Sequence, residues 1–318
     1  MLKLTNISQL VSYQSASDTI QTMSNIEILI EKETIQEIGP TVNNADEIVD
    51  CSGRLVTPGF VDPHTHPVFY KGREEEYTMR LAGASYQEIA KNGGGILSSI
   101  KDVRNASEDD LVERVKKRMT RFIKLGTTTV EAKRGYGLDT ESELKSLRVL
   151  NRVNCDHPID IIPTFLGAHA FPPEFSDDPD GYVDLLCDEM IPAVGEQGIA
   201  QYCDVFCEKG YFSVEQSRRI LETGKTYGLI PRLHADEFED SGAAELAAEV
   251  GAVSADHLMA VSNAGISALK NGAVTATLLP GTTFFLGKQS YAPAEKLREA
   301  GISIALATDF NPGSSHLQ

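Results

Sequence analysis

The sequence contains no tryptophan and only five cysteines in 318 residues. No two cysteines have the CxxC spacing of a thiolate zinc site, and an odd number does not pair into a disulfide framework. We therefore exclude both kinds of site and expect reduced thiols, most of them in the core. The cysteines are Cys51, Cys155, Cys187, Cys203 and Cys207.

Positive charge is scarce, with 29 lysines and arginines against 46 aspartates and glutamates and a formal net charge of −17. This balance excludes a nucleic-acid-binding protein, which needs a basic surface. No apolar run approaches the roughly 18 residues of a membrane span, and Met1–Tyr13 lacks the regions of a secretory signal. We expect a cytosolic protein without a membrane partner, in which a local cation or a metal meets any anionic substrate.

The first part of the chain, residues 1–54, alternates polar and apolar side chains, as in Ile26–Glu31. It has a turn at Gly39-Pro40 and no helical stripe. A period of two is typical of strands with one buried face. We predict a small antiparallel β domain over residues 1–54.

From residue 55 to 318, short β-branched or apolar runs alternate with amphipathic helices, the pattern of a parallel sheet with helical crossovers. The helices carry start signals such as Ser107 and Ser213 and stop signals such as Gly228. Eight runs predict an α/β fold, the TIM (β/α)₈ barrel. The runs centre on Gly59–His66, Thr127–Ala132, Asp160–Leu166, Tyr202–Glu208, Ile230–Ala235, Ser254–Leu258, Thr275–Leu279 and Ser303–Thr308.

The sequence stops at Gln318, soon after the eighth run. An eighth helix and any returning strands of the small domain are absent from it. We expect a barrel truncated after its eighth strand and a small domain represented by its N-terminal half.

The first run closes with Asp62-Pro63-His64-Thr65-His66. Because successive strand residues point to opposite faces, His64 and His66 are expected on the same side, facing the barrel axis, where they could share a metal ion. For an isolated pair of this spacing, two hydrogen-bonded loop histidines are the commoner explanation. The residues at the other strand ends make a metal site the better explanation.

Three more histidines and an aspartate close later runs: His169 the third, His234 the fifth, His257 the sixth and Asp309 the eighth. Active sites of (β/α)₈ barrels lie at the C-terminal strand ends, so this sorting favours a metal site. Imidazoles with one carboxylate suit zinc or iron, and three histidines with one aspartate leave room for a catalytic water. His157 and His316 are predicted to be loop residues without a role.

Several motifs resemble those of a known family. The stretch Pro58–His66, with the later histidines and aspartate, resembles the amidohydrolase superfamily. The resemblance narrows to the imidazolonepropionases, which open a ring in histidine degradation, and it implies that the first strands belong to a small β-sandwich domain. It is carried by Gly93–Ile96, Lys133–Gly137, Phe165–His169, His234–Glu237 and Thr308–Ser314.

The resemblance also implies roles for individual residues. Members with two metals usually bridge them through a modified lysine on the fourth strand, where this sequence has Glu208 followed by Lys209. We therefore expect one divalent metal per chain, Zn²⁺ or Fe²⁺/Fe³⁺. The implied metal ligands are His64, His66, His234 and Asp309, and the implied substrate contacts are Arg73, Tyr136, His169, Glu237, Asn311, Gly313 and Ser314.

The residues themselves leave alternatives open. Arg73 could hold an anionic group or be a solvated surface residue, and Glu237 could reach the catalytic water or be the first-turn acid of the next helix. Tyr136 could contact substrate or be a turn aromatic. Gly93-Gly94-Gly95 lacks the Lys-Ser/Thr of a phosphate loop, so we predict a mobile flap. The turn Asn311–Ser314 could present backbone N–H groups to a ring carbonyl.

The resemblance makes the expected reaction the hydrolysis of 4-imidazolone-5-propanoate to N-formimidoyl-L-glutamate. Glu237 would move the proton, His257 would hydrogen-bond the attacking oxygen, and Arg73 would hold the propionate. Another cyclic-amide hydrolase, a heterocycle aminohydrolase and a non-catalytic metal-binding barrel are the alternatives. A homodimer is expected, because twofold dimers are the commonest oligomers.

Overall fold

The computed structural model describes residues 1–17, 19–84, 89 and 94–316. The chain divides into two compact units, Met1–Phe60 and Val61–Gln318. This division lies a few residues beyond the predicted boundary after residue 54. The difference arises because the short strand Leu55–Val56 pairs in parallel with Gln9 and Leu10 of the first unit.

The first unit holds two sheets, ordered β5-β4-β1-β6 and β3-β2-β7. The prediction of an antiparallel unit is partly wrong, because β6 pairs with β1 and β7 with β2 in parallel. Alternation reports which side chains are buried and carries no information on strand direction. The strands are β1 Leu2–Ile7, β2 Gln9–Gln14, β3 Thr19–Met23, β4 Ile26–Glu31, β5 Thr34–Gly39, β6 Glu47–Asp50 and β7 Leu55–Val56.

The second unit is built on one parallel sheet of eight strands, each hydrogen-bonded to its sequence neighbour. Every strand overlaps one of the eight predicted runs, and the predicted TIM-barrel class is confirmed. The strands are β8 Phe60–Thr65, β9 Thr127–Lys133, β10 Asp160–Ala168, β11 Tyr202–Cys207, β12 Ile230–Ala235, β13 Ser254–His257, β14 Thr275–Leu278 and β15 Ile304–Leu306.

The seam between the first and last barrel strands is bridged just beyond β15. The His66 N–H donates to the Phe310 carbonyl at 2.7 Å, and the Asp309 N–H donates to the His64 carbonyl at 3.0 Å. Both bonds run between backbone atoms of the two segments that carry His64, His66 and Asp309, three of the four predicted metal ligands. The seam therefore holds Asp309 against the histidine pair.

Helices cover the outside of this sheet. In α3 the residues Leu111, Val115, Met119 and Phe122 are fully buried, as their spacing predicts. Ser213 forms a capping box with Gln216 at the start of α7. The helices are α1 Glu74–Leu81, α2 Ile96–Asn105, α3 Glu108–Lys124, α4 Thr140–Asp156, α5 Pro179–Leu185, α6 Ile191–Gln197, α7 Val214–Thr226, α8 Ala243–Glu249, α9 Asn263–Asn271, α10 Pro280–Phe285 and α11 Ala294–Glu299, with a 3₁₀ turn at Pro173–Phe175 and a π-turn at Leu186–Met190.

Among the described residues, none of the helices combines the length and the apolar character that crossing a membrane requires.

Candidate functional site

The histidine pair at the end of β8 lies inside the barrel. His64 and His66 are both buried, and their Nε2 atoms are 3.2 Å apart. Asp309, held by the seam, places Oδ1 3.3 Å from His66 Nε2 and 3.5 Å from His64 Nε2. The period of two therefore brings the pair to one side, as the sequence predicts.

Two further histidines complete the cluster. Nitrogens of His64, His234 and His257 lie within 4.8 Å of one another, and the same spacing relates His64, His66 and Asp309. The structure thus brings together the four predicted metal ligands and, beside them, His257. Among the residues that the structure describes, Nε2 of His234 and Nε2 of His257 are buried without a hydrogen-bond partner. Buried nitrogens seldom stay unpaired, so the donor set fits a metal ion.

Burial and neighbouring charges control the protonation of these histidines. Burial lowers the pKa of His66 to about 3, although Asp309 opposes the shift. Burial and Lys133 also act to lower the pKa of His64, but hydrogen bonds to Asp256 and Asp309 raise it overall to about 9. The carboxylates therefore favour one positive charge at the centre, which a metal cation would supply in place of a proton.

A set of buried charged residues lies behind the histidines, and we call it the charged layer. These residues are almost fully buried, and the sequence reasoning assigned a role to none of them, although Lys133 lies in a motif that it singled out. The available signal was charged side chains inside strand runs, where a barrel interior is otherwise apolar. The charged layer consists of Glu131 and Lys133 on β9, Asp204 on β11, Arg232 on β12 and Asp256 on β13.

Glu237 and His257 face each other at the edge of the cluster, with Glu237 Oε2 3.8 Å from His257 Nε2. Burial raises the pKa of Glu237 to about 8, and Asp309 and Glu208 add to the rise. Burial holds the pKa of His257 well below its usual value. A carboxyl group with a pKa near neutrality is suited to proton transfer.

The alternative role of Glu237, as first-turn acid of the next helix, does not fit the structure. Helix α8 begins only at Ala243. The carboxylate at its start is that of Asp236, which accepts hydrogen bonds from the N–H groups of Ala243 at 3.2 Å and Ala244 at 3.1 Å. The chain between Glu237 and Ala243 forms a loop. The distance in sequence from Glu237 to the next predicted helix did not reveal this loop.

Arg73 lies in the wall of a cleft that opens onto the cluster. Its side chain is only 8% exposed, so a solvated surface arginine does not describe it. Nε lies 3.2 Å from Glu76 Oε1, and Nη1 donates to Ser99 Oγ at 2.8 Å. These two contacts hold the guanidinium beside the cleft.

Tyr136 and His169 line the same cleft. The His169 ring stacks on His66 with centroids 5.1 Å apart, and its Nδ1 lies 3.0 Å from the Gly135 carbonyl. Tyr136 is buried, with its ring 5.3 Å from that of His169. Both residues therefore reach the site from the ends of adjacent strands, as predicted.

The turn after Asp309 differs from the expectation. The N–H groups of Gly313 and Ser314 donate to Asn311 Oδ1 at 2.8 and 2.7 Å, so they are not presented to a ring carbonyl. Asn311 Nδ2 donates to the Asp309 carbonyl at 2.7 Å. An asparagine that hydrogen-bonds the backbone two and three residues ahead stabilises its own turn. Of the three predicted contacts here, Asn311 and Ser314 line the cleft.

Other predicted features lie away from the cluster. Gly93 of the glycine run is outside the described residues, and the Gly95 N–H donates to Glu76 Oε1 at 2.7 Å. Glu208 accepts from the Phe238 N–H at 2.8 Å, while Lys209 pairs with Glu239 at the surface. His157 lies beside Thr120, and His316 beside Phe285.

The cleft has an aromatic side that the sequence reasoning did not identify. The Phe206 ring packs 4.2 Å from Tyr211 and 5.5 Å from His234. Phe238 extends this aromatic side, whereas Arg73 supplies a positive charge to the same cleft. Aromatic rings and a guanidinium group are the partners that a flat ring with an anionic group requires. The lining of the cleft is His66, Arg73, Ile96, Tyr136, His169, Phe206, Tyr211, His234, Glu237, Phe238, His257, Leu286, Asp309, Asn311 and Ser314.

The backbone is strained at several of these strand ends. Asp236, His257 and Asp309 have φ of 49°, 78° and 51°. A non-glycine residue in this region costs on the order of 1–3 kcal/mol and is found mainly where function requires it. These three residues lie at the ends of β12 and β13 and just beyond β15, where the histidine cluster is built.

No family model matches the chain. It is 52% identical over 302 residues to the imidazolonepropionase of Geobacillus kaustophilus, covering 92% of this chain and 71% of that protein. It is 48% identical over an alignment of 326 positions to the imidazolonepropionase of Fusobacterium nucleatum, covering 98% of this chain and 78% of that protein.

Solved structures share the fold at low sequence identity. Guanine deaminase from C. acetobutylicum with bound guanine is 17% identical with a TM-score of 0.68, and the match covers 98% of this chain and 75% of that chain. Atrazine chlorohydrolase from Arthrobacter aurescens complexed with zinc is 14% identical with a TM-score of 0.65, and the match covers 98% of this chain and 72% of that chain.

Proposed function

Because this chain belongs to the imidazolonepropionase family of hydrolases, we propose that its cleft opens the ring of 4-imidazolone-5-propanoate to give N-formimidoyl-L-glutamate. The observation that carries this proposal is Glu237, a buried carboxyl group whose pKa is raised to about 8, lining one cleft with the histidine cluster and Arg73. A proton carrier, a metal site and a cation are the groups that hydrolysis of an anionic cyclic amide needs.

We propose that His64, His66, His234 and Asp309 hold one divalent metal, zinc or iron. The converging side chains and the unpaired His234 Nε2 support this set. The zinc complex of the atrazine chlorohydrolase, a protein of the same fold, supports zinc. When bound, such a metal supplies a Lewis acid that polarises the ring carbonyl and lowers the pKa of a water to about 7.

Glu237 is proposed to take a proton from the attacking water and return it to the departing ring nitrogen. Its buried carboxyl group is only 3.8 Å from His257, so both side chains can reach one attacking oxygen. His257 is proposed to hydrogen-bond that oxygen as negative charge develops on it. The aromatic side of the cleft would exclude bulk water from this transfer.

Arg73 is proposed to hold the substrate propionate, with Tyr136 and His169 against the ring. In a chain of net charge −17, an anion needs such a local cation. The stacking of His169 on His66 keeps this wall of the cleft in contact with the metal ligands. The substrate ring would then lie between the arginine and the metal site.

The proposed function is tested by assaying purified protein with 4-imidazolone-5-propanoate alongside elemental analysis. We expect N-formimidoyl-L-glutamate, no ammonia, and one equivalent of zinc or iron. Ammonia released from a heterocycle would indicate an aminohydrolase instead. Bound metal with no turnover of any cyclic amide would favour the non-catalytic metal-binding barrel. A homodimer and a cytosolic location remain predictions.

Arg73→Lys should raise KM for the propanoate substrate by about tenfold with little change in kcat. Lysine replaces the planar guanidinium group with a compact ammonium group. The ammonium group cannot contact Glu76, Ser99 and a substrate carboxylate at the same time. A loss of binding that is equal in ground and transition states appears in KM. Steady-state kinetics would measure it, with Arg152→Lys as control, since Arg152 pairs with Glu108 and Asp109 at the surface. An unchanged KM would remove Arg73 from the substrate site.

A further inference from the structure

Carboxylates of the charged layer contact the Nδ1 atoms of two of the proposed metal ligands. His234 Nδ1 lies 3.1 Å from Asp204 Oδ1, and His64 Nδ1 lies 2.7 Å from Asp256 Oδ2. A carboxylate accepts a proton from Nδ1 and leaves Nε2 with a lone pair directed to the other side. Each carboxylate therefore selects the ring form that can bind a metal.

Lys133 connects the carboxylates of the charged layer. Its side chain is 0% exposed, and Nζ lies 2.6 Å from Asp204 Oδ2, 3.1 Å from Glu131 Oε1 and 3.4 Å from Asp256 Oδ2. An ammonium group has three donors and no acceptor. Its position therefore requires that an oxygen, and not an N–H group, face it from each of the three neighbours.

We propose that Lys133 is a positioning residue for the metal site: it holds the carboxylates of Asp204 and Asp256 in the orientation in which they accept from Nδ1 of His234 and His64, which leaves the Nε2 atoms facing the metal. Lys133 touches neither substrate nor metal ligand and acts through the two aspartates. The inference rests on the proposed function, because it needs a metal on these histidines.

The two aspartates differ in a way that makes the proposal testable. Both oxygens of Asp204 are engaged, since Oδ1 accepts from the N–H and Nδ1 of His234 and Oδ2 accepts from Lys133. In Asp256, Oδ2 takes all the contacts, including one from Arg232 Nη2 at 3.1 Å. Oδ1 of Asp256 has no hydrogen-bond partner within the described part of the chain.

An asparagine at each position should therefore behave differently. In Asp256→Asn the amide NH₂ can take the place of the unpartnered Oδ1, and the oxygen stays toward His64. In Asp204→Asn the Lys133 ammonium and the backbone N–H of His234 compete for the single amide oxygen, and the charged donor takes it. The NH₂ then turns to His234, and Nδ1 must accept. The His234 proton then moves to Nε2, where it blocks metal binding.

The experiment measures the Zn²⁺ dissociation constant of each variant by chelator competition, with the visible absorption of the Co²⁺ form as a second readout. We expect Asp204→Asn to weaken Zn²⁺ binding by about 10–100-fold. Asp256→Asn, the matched control, should change it by less than about fivefold. The Co²⁺ absorption should shift only in Asp204→Asn, because only there is a ligand lost.

The double variant Lys133→Met with Asp204→Asn tests the lysine itself. Without the ammonium, the oxygen of the introduced amide is free to face His234, so the double variant should bind Zn²⁺ more tightly than Asp204→Asn alone. The double variant loses one positive and one negative charge, so its net charge is unchanged. It should therefore fold even if Lys133→Met alone does not. The proposal would be overturned if the double variant bound Zn²⁺ no more tightly than Asp204→Asn. It would also be overturned if the two asparagine variants lost Zn²⁺ affinity equally. Wild-type protein that binds neither Zn²⁺ nor Fe²⁺ would overturn the proposed metal site and the inference together, whereas the asparagine variants test the inference alone.

Discussion

Replacing Glu237 with glutamine is expected to lower kcat by about 10²–10⁴-fold, equivalent to roughly 3–5 kcal/mol of barrier. Glutamine keeps the length of the side chain and much of its hydrogen bonding, but it cannot accept the proton of the attacking water. Bound metal and melting temperature should stay near those of the wild type, because Glu237 is neither a proposed ligand nor the acid at the start of α8.

The pH dependence gives Glu237 a second, independent readout. A pKa raised to about 8 means that the carboxyl group is protonated at lower pH and becomes a base as pH rises. The kcat/KM of the wild type should therefore rise with pH along an acid limb with an apparent pKa of about 8 or below, since a bound cation nearby favours the carboxylate. Glu237→Gln should lose this limb.

Glu239→Gln is the matched control, because Glu239 lies two residues along the same loop and its side chain is 57% exposed. Its kinetics should match the wild type. If Glu237→Gln reduces kcat by less than about tenfold, the proton travels by another route. His257, 3.8 Å away, would then be the residue to replace next.

Replacing His64 with alanine should abolish metal binding and lower kcat by on the order of 10³-fold or more, because several kcal/mol of charge stabilisation are lost with the metal. His64 belongs to both groups of potential ligand atoms in the cluster. Metal content by elemental analysis and steady-state kinetics would measure the two effects.

The barrel should stay folded in this variant. Asp256, the partner of His64, keeps Arg232 at 3.1 Å and Lys133 at 3.4 Å, so no buried carboxylate is left unpaired. We expect a loss of about 1–3 kcal/mol in the free energy of unfolding, typical of a buried truncation. A variant that retained a full equivalent of metal would contradict the proposed ligand set.

Thermal melts of metal-free protein separate the two effects of His64→Ala. Adding Zn²⁺ should raise the melting temperature of the wild type, because a ligand that binds only the folded state stabilises it. The same addition should leave His64→Ala unchanged. His157→Ala is the control, since His157 lies outside the cleft beside Thr120 and should respond to Zn²⁺ as the wild type does.

The sequence by itself determined the eight strands of the barrel and the polar residues at their ends. Each strand run was readable because its apolar stretch and the flanking helix signals are local in the chain. The strand ends became a candidate site through one general property, that barrel strands end at a common face. His64, His66, His234 and Asp309, which are up to 245 residues apart in the sequence, could therefore be grouped before any contact was known.

Only the tertiary structure decided which atoms face one another. The charged layer depends on the lateral order of β9, β11, β12 and β13, and the choice between Asp236 and Glu237 as the acid at the start of α8 depends on the path of a loop. Asn311 turned out to hold its own turn, and Arg73 to be buried against Glu76. Such pairings are set by packing across neighbouring strands and by the geometry of each hydrogen bond, and neither leaves a periodic trace in the sequence.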